Sequence, residues 1–472
     1  MSDKETEKKV EEVPKAEAEA TATDAKDAPK ATEQADASSA AVDEVAVSLE
    51  ELLALGQGLD DEDYKAELEV LQNDETSNLF SAVTFEELGL PEPLLRGVYG
   101  MKFTKPSKIQ SVALPMILAN PPENLIGQAQ SGSGKTATFA LGMLYRVDVA
   151  RKVPQALCIG PTRELVRQIA AVVKAMGRFT GTEIFLAIPG NDLDRGQNVT
   201  AQIVVGTPGK VENLIKKKAL DTRDIKIFVL DEADVMVAED GMRDRSVAIK
   251  KLIKNRSCQF LLFSATYADD VRDFAMKMVP NHNIITVKKE KLTLDGIKQF
   301  WINCHSRDNK FKVLSDIFAI LTIGKCVIFV QSRETCKELT KRMREAGHSV
   351  GILHGADMAK EVRDQVIDEF RAGTTNVLIT TNVLARGIDV AGVSLVINFD
   401  IPTGRDGKPD PETYLHRIGR TGRFGRKGCA INFVFDRKSM EDLAQIEAYY
   451  QKQIVEAPAD DIEALEKMLQ WS

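Results

Sequence analysis

No apolar run in this 472-residue chain approaches the roughly 20 residues that a membrane-spanning helix needs. The N-terminus is charged from the start, so no signal peptide is expected. Cysteine is scarce and scattered: Cys158, Cys258, Cys304, Cys326, Cys336 and Cys429 form no Cys-x-x-Cys pair. They read as reduced, buried thiols of a cytosolic or nuclear protein. Residues 1–50 lack any aromatic side chain and are rich in Ala, Glu, Lys and Asp. Such a segment cannot bury enough apolar surface to offset the entropy of ordering, so a disordered acidic tail is expected over 1–50.

Excess positive charge is also lacking, because the chain carries a net charge of −8. The tail holds six lysines against fourteen Asp and Glu, a difference equal to the whole net charge, so the remaining residues are neutral in sum. A neutral body cannot hold a polyanion by bulk charge. Any grip on nucleic acid must come from placed side chains and backbone amides.

What is present is a long β-α alternation. Length alone allows about three domains. Short apolar runs at 156–159, 184–188, 203–205, 227–230 and 260–263 are separated by helical stretches, and a second series follows at 327–330, 350–353, 377–379, 395–397 and 430–434. Short, fully apolar strands alternating with helices predict doubly wound α/β domains with parallel sheets covered on both faces. Two series predict two such domains in tandem, over 85–288 and 297–472, with the polar segment 289–296 as linker. Leu52, Leu53, Leu55, Leu59, Tyr64, Leu68 and Leu71 predict a helical extension over 51–84, and Leu443, Ile446, Tyr449, Tyr450 and Ile454 predict a helical close over 437–472.

Chemistry concentrates in two strings. Ala129, Gln130, Ser131, Gly132, Ser133, Gly134, Lys135 and Thr136 follow the apolar Leu125 and Ile126 and open a helical stretch. A glycine-rich turn at a helix N-terminus turns backbone N–H groups toward phosphate, Lys135 reaches the outer phosphates, and the Thr136 hydroxyl holds Mg2+. Ala129 stands where the usual loop of this kind has Gly. Asp231, Glu232, Ala233 and Asp234 directly follow the strand at 227–230. That places an acidic pair where a nucleoside-triphosphate site needs one: Asp231 for Mg2+ and Glu232 to polarise the attacking water.

Together these strings resemble the DEAD-box RNA helicases, and the resemblance extends over about 85–434. It implies two RecA-like domains, ATP and Mg2+ as cofactors, and RNA as substrate. Phe103, Pro106, Ile109 and Gln110, with Phe85 upstream, are similar to the family's adenine-reading motif; Gln110 then meets the adenine edge and Phe85 stacks on the ring, although Lys102 replaces the usual Gly. Pro161, Thr162, Arg163, Thr207 and Gly209 match RNA-backbone contacts of the first domain, while the family's Gly-Gly pair is not evident. Ser264 and Thr266 match the motif that couples hydrolysis to unwinding. In the second domain Arg333, Arg363 and Thr380 match RNA contacts, and Asp389 a ribose contact. The string from Tyr414 to Arg423 carries His416 and the two arginine fingers, Arg420 and Arg423.

Three features resemble the family's mRNA-export branch at the cytoplasmic face of the nuclear pore: Asn120–Asn124 leading into the glycine-rich loop, Gly100–Phe103, and the long segment Thr403–Glu412 before the arginine-finger string. The resemblance implies a monomer of cytoplasm and nucleus. Its implied partners are messenger ribonucleoprotein, a cytoplasmic-face nucleoporin and an export factor acting with inositol hexakisphosphate. It also implies a segment near 50–80 that restrains ATPase activity. The rival roles are translation initiation or ribosome assembly, a DNA helicase, and a non-catalytic RNA clamp; the intact Lys135, Glu232, Arg420 and Arg423 argue against the last.

Overall fold

The computed structural model describes residues 68–71, 81–129, 132–239, 241–287, 297–320, 324–355, 358–382, 392–404, 406–422, 428–458 and 467–468. The expected tail, most of the extension and the linker 289–296 lie outside these residues.

The first half runs β1 (Leu68–Leu71), α1 (Glu92–Gly100), α2 (Lys108–Leu118), β2 (Asn124–Gln128), α3 (Lys135–Arg146), β3 (Ala156–Ile159), α4 (Arg163–Met176), β4 (Ile184–Ala187), β5 (Ile203–Gly206), α5 (Pro208–Lys216), β6 (Ile227–Leu230), α6 (Ala233–Ala238), α7 (Met242–Leu252), β7 (Gln259–Ser264), α8 (Asp269–Met278) and β8 (His282–Val287). The second runs β9 (Ile297–Asn303), α9 (Lys310–Ile320), β10 (Lys325–Phe329), α10 (Arg333–Glu345), β11 (Val350–Leu353), α11 (Lys360–Ala372), β12 (Val377–Thr380), β13 (Val393–Asn398), α12 (Pro411–Ile418), β14 (Gly428–Val434), α13 (Arg437–Tyr450) and β15 (Val455–Glu456).

Each half builds one sheet, ordered β1-β8-β2-β7-β6-β3-β5-β4 and β11-β12-β10-β13-β14-β9-β15. Every pairing is parallel except that of β1 with β8. The strand runs are continuously apolar because helices cover both sheet faces, and one apolar cluster fills each face of the first sheet. All six cysteines are free and buried in these cores.

Two expectations fail in part. Leu68–Leu71 is a strand, not helix: it pairs antiparallel with β8, Leu68 opposite Val287 and Leu71 opposite Ile284. The open edge of β8 offers a row of backbone partners, and Val70 packs against the core, so sheet pairing prevails over the leucine spacing. At the other end, α13 stops at Gln451, whose φ is +51°. The chain then adds β15 in parallel beside β9, because Ile454 and Ala457 are buried by the second sheet.

Candidate functional site

The glycine-rich loop sits at the C-terminal end of β2, and open α/β sheets bind ligands outside the carboxyl ends of their strands. Ala129 N donates to Ser264 O at 3.2 Å, tying the loop's entry to the end of β7. Gly134 caps α3 with φ +98°, a conformation that disfavours side chains. A Cβ there would also meet Gln110 Nε2 at 2.8 Å. Ser107 Oγ donates to Ser133 O at 2.9 Å and Gln110 Nε2 to Gly134 O at 3.3 Å, so the α2 N-terminus braces the loop from behind. Gln110 thus touches the loop backbone itself. Phe85 lies in the apolar core, edge-on to Tyr99 and Phe103, at 1% exposure. Lys135 Nζ donates to Ala129 O. Gln130 and Ser131 lie outside the described residues, as do Asp389 and Arg423.

Asp231 directly follows β6, 3% exposed, with its N–H donating to Ile159 O at 3.1 Å. Burial, then the neighbouring Glu232, pushes its carboxyl up to about 7, while Lys135 pulls the other way. Glu232 takes the left-handed conformation at φ +51°, and its buried Oε2 has no hydrogen-bond partner among the described residues. Two crowded carboxylates beside Lys135, one of them unsatisfied, fit a cation such as Mg2+ carried by a nucleotide.

Asp234 looks the other way, toward the second half of the chain. It sits at the start of α6, its N–H donating to Ser264 Oγ at 3.2 Å. Its Oδ2 accepts from Thr266 Oγ1 at 2.9 Å and from Thr266 N at 3.3 Å. His416 Nε2 lies 2.8 Å from the same oxygen, and both side chains are 2% exposed. A second bridge joins α4 to α11. Arg363 Nη2 is 3.1 Å from Glu164 Oε1, and Asp364 Oδ2 lies 3.2 Å from Arg163 Nη2 and 3.1 Å from Arg167 Nη1. The structure therefore brings Arg163 and Arg363 onto carboxylates of opposite halves.

The remaining candidates are spread along loop ends. Thr162 caps α4, accepting from Leu165 N, after Pro161; Thr207 caps α5. Gly209 is packed so that a Cβ would meet Arg245 Nη1 at 2.5 Å. Arg333 opens α10 beside Gly355. Thr380 is turned inward, its hydroxyl donating to Thr381 O at 3.1 Å. Arg420 is buried, its Nε donating to His416 O at 2.9 Å.

Sequence reasoning missed Arg417. Its guanidinium is fully buried and donates to Asn382 Oδ1, Asn398 Oδ1 and Asp400 O, joining the ends of β12 and β13 to the helix that leads into Arg420. It also missed Asp400, which holds Lys310 Nζ at 2.8 Å and accepts from Gln331 N at 2.9 Å. Their signals were weak, since an arginine in a basic string reads as solvent-facing.

Residues 107–274 match the family described as DEAD/DEAH box helicase, and residues 309–425 match the helicase conserved C-terminal domain. The chain is 50% identical over 405 residues to the ATP-dependent RNA helicase dbp5 of Schizosaccharomyces pombe, covering 86% of this chain and 80% of that one. The chain belongs to the DEAD-box ATP-dependent RNA helicases. Two solved structures are similar to this helicase. One is S. cerevisiae Dbp5 bound to RNA and ADP BeF3, at 47% identity and TM-score 0.79, covering 82% of this chain and 99% of that one. The other is a variant of the same protein bound to Nup159, a Gle1 variant, IP6 and ADP, at 45% identity and TM-score 0.62, covering 81% and 98%. In the helicase, β2 and β6 lead into the glycine-rich and acidic strings, and α12 brings His416 to Asp234.

Proposed function

We propose that this RNA helicase closes residues 85–288 and 297–472 upon ATP and RNA together, and that closure completes the hydrolytic site. The contact of Asp234 with His416 supports this most directly. It joins the acidic string of one domain to the helix that leads into Arg420 in the other, so hydrolytic groups on both sides come into register only when the domains meet. Lys135 and the loop amides hold the phosphates, and Glu232 orients and polarises the attacking water. Arg420 and Arg423 stabilise charge on the γ-phosphate. Thr136 and Asp231 would hold Mg2+, which screens phosphate charge when bound. Gln110 takes the adenine edge, Phe85 reaches the ring only by turning out of its core position, and Asp389 takes the ribose. Ser264 and Thr266 sense the Asp234 contact and pass closure on to RNA.

RNA held by Pro161, Thr162, Arg163, Thr207 and Gly209 on one side and by Arg333, Arg363 and Thr380 on the other favours the closed state, so RNA and ATP tighten each other. Glu232→Gln should trap ATP and RNA while lowering turnover by about 10²–10³-fold. ATPase activity indifferent to RNA, and unaffected by Arg420→Ala, would refute the reading.

We further infer a role in mRNA export at the cytoplasmic face of the nuclear pore. The support is the likeness to the relative bound to Nup159, Gle1 and IP6. The partners are then a nucleoporin of that kind and a Gle1-like factor with inositol hexakisphosphate. Binding to a Nup159-type fragment, and ATPase stimulation by Gle1 only when the inositol phosphate is present, test it. The absence of both would favour a role in translation or ribosome assembly instead.

A further inference from the structure

The Asp234 contact has a second carboxylate beside it. Glu412 lies one turn before His416 on α12, so both side chains point at the same end of α6. It is partly buried, with its carboxyl beside the Thr266 hydroxyl. Its Oε1 is buried and has no partner among the described residues. Negative charge bears on it from Asp234 of α6, Asp270 at the start of α8 and Asp410 at the cap of its own helix, and the His416 ring lies one turn along the same helix. From α13 the Tyr450 hydroxyl donates to Pro411 O, closing that side.

The hydrogens at this junction can be counted. Thr266 has one hydroxyl proton, and it donates to Asp234 Oδ2. Asp234 also takes His416 Nε2 and two backbone N–H groups, from Thr266 and Val235, and is well satisfied as an anion. With Glu412 ionised, two carboxylates compete for that one hydroxyl proton across the domain boundary. With Glu412 protonated, its O–H donates to Thr266 Oγ1, and Thr266 donates onward to Asp234, so every group is served.

We propose that Glu412 is a positioning residue that takes a proton from solvent as the domains close, so that closure on nucleotide and RNA is proton-coupled. The inference rests on the reading that nucleotide and RNA close the two domains together. Desolvation, then the charge of Asp234, holds the Glu412 carboxyl up at about 7 in this arrangement, against an ordinary value of 4.5. A carboxylate raised by closure favours closure on the acid side and loses that contribution as pH rises toward 7.

The test is binding of a single-stranded RNA in the presence of ADP and beryllium fluoride, at pH 6, 7 and 8, to the full chain and to Glu412→Gln. The wild type should bind roughly tenfold more weakly at pH 8 than at pH 6. The glutamine, neutral and still able to donate to Thr266, should bind nearly as tightly at pH 8 as at pH 6. Equal slopes in the two proteins, or a flat wild type, overturn the proposal. RNA binding that does not respond to nucleotide at any pH removes the closure reading as well. One measurement needs no variant: at pH 7, in weak buffer with an indicator dye, closure of the wild type should take up about half a proton per molecule. No uptake overturns the proposal.

Discussion

Arg363 and Glu164 face each other across the two halves of the chain, with the glutamate side chain only 6% exposed. One turn of α4 away, Arg167 meets Asp364, which also holds Arg163, so basic and acidic groups alternate on both helices. These pairs exist only while α4 and α11 are in contact. They also place arginines matched to RNA contacts in a partly desolvated setting, where charge-assisted bonds are stronger than at an open surface.

Removing Asp364 should therefore raise the RNA concentration that half-saturates ATPase activity. About 0.5–1 kcal/mol is expected for partly exposed pairs, a factor of roughly two to five. A double-mutant cycle between Arg167→Met and Asp364→Asn, read from RNA titrations, should return a coupling of that size. Additive losses would show that the pair contributes nothing to closure.

Gly134→Ala should disable nucleotide binding. The site demands φ +98°, and the new methyl would meet the Gln110 amide at 2.8 Å. Strain of about 1–3 kcal/mol is expected at such a position. A fluorescent ATP analogue should show at least tenfold weaker binding, with the second domain unchanged. Unaltered affinity would mean that the loop relaxes freely.

Arg417→Met should destabilise the second domain. The substitution deletes the donors to Asn382, Asn398 and the Asp400 carbonyl, leaving buried acceptors unmatched. Losses of about 1–3 kcal/mol are expected when buried acceptors are left unsatisfied. Urea unfolding followed by the fluorescence of Trp301, on β9 of that domain, is the measurement. A midpoint within error of the wild type would contradict the role.

Val70→Asp should strip β1 from β8. Val70 pairs with Ile285 and packs on the core of the first domain, so an aspartate there loses apolar burial and exposes an edge strand. A loss of about 1–2 kcal/mol in first-domain stability is expected, with faster aggregation by light scattering. Unchanged behaviour would show that the strand is dispensable.

Much of the chain was legible in order alone. The apolar runs at 156–159, 227–230 and 350–353 are strands with those bounds, because parallel strands buried on two faces leave no room for polar alternation. The glycine-rich loop and the Asp-Glu pair fall at strand ends, where helix N-termini and backbone amides make phosphate chemistry possible. The two series left out β1, β8, β9 and β15. β1 carried leucine spacing that reads as helix, and β15 is two residues long, its pairing set by an edge that the sequence does not display.

The sequence by itself determined most of the strand and helix order, the two-domain plan and the phosphate-binding strings, because these follow from local periodicity and from residue chemistry at short spacing. Only the tertiary structure decided that Asp234 meets His416, that Arg363 meets Glu164 and that Glu412 is held against Thr266. Each of those contacts joins residues about 150 to 200 positions apart. Such pairings depend on how two separately wound sheets face one another, and no run of neighbouring side chains encodes that.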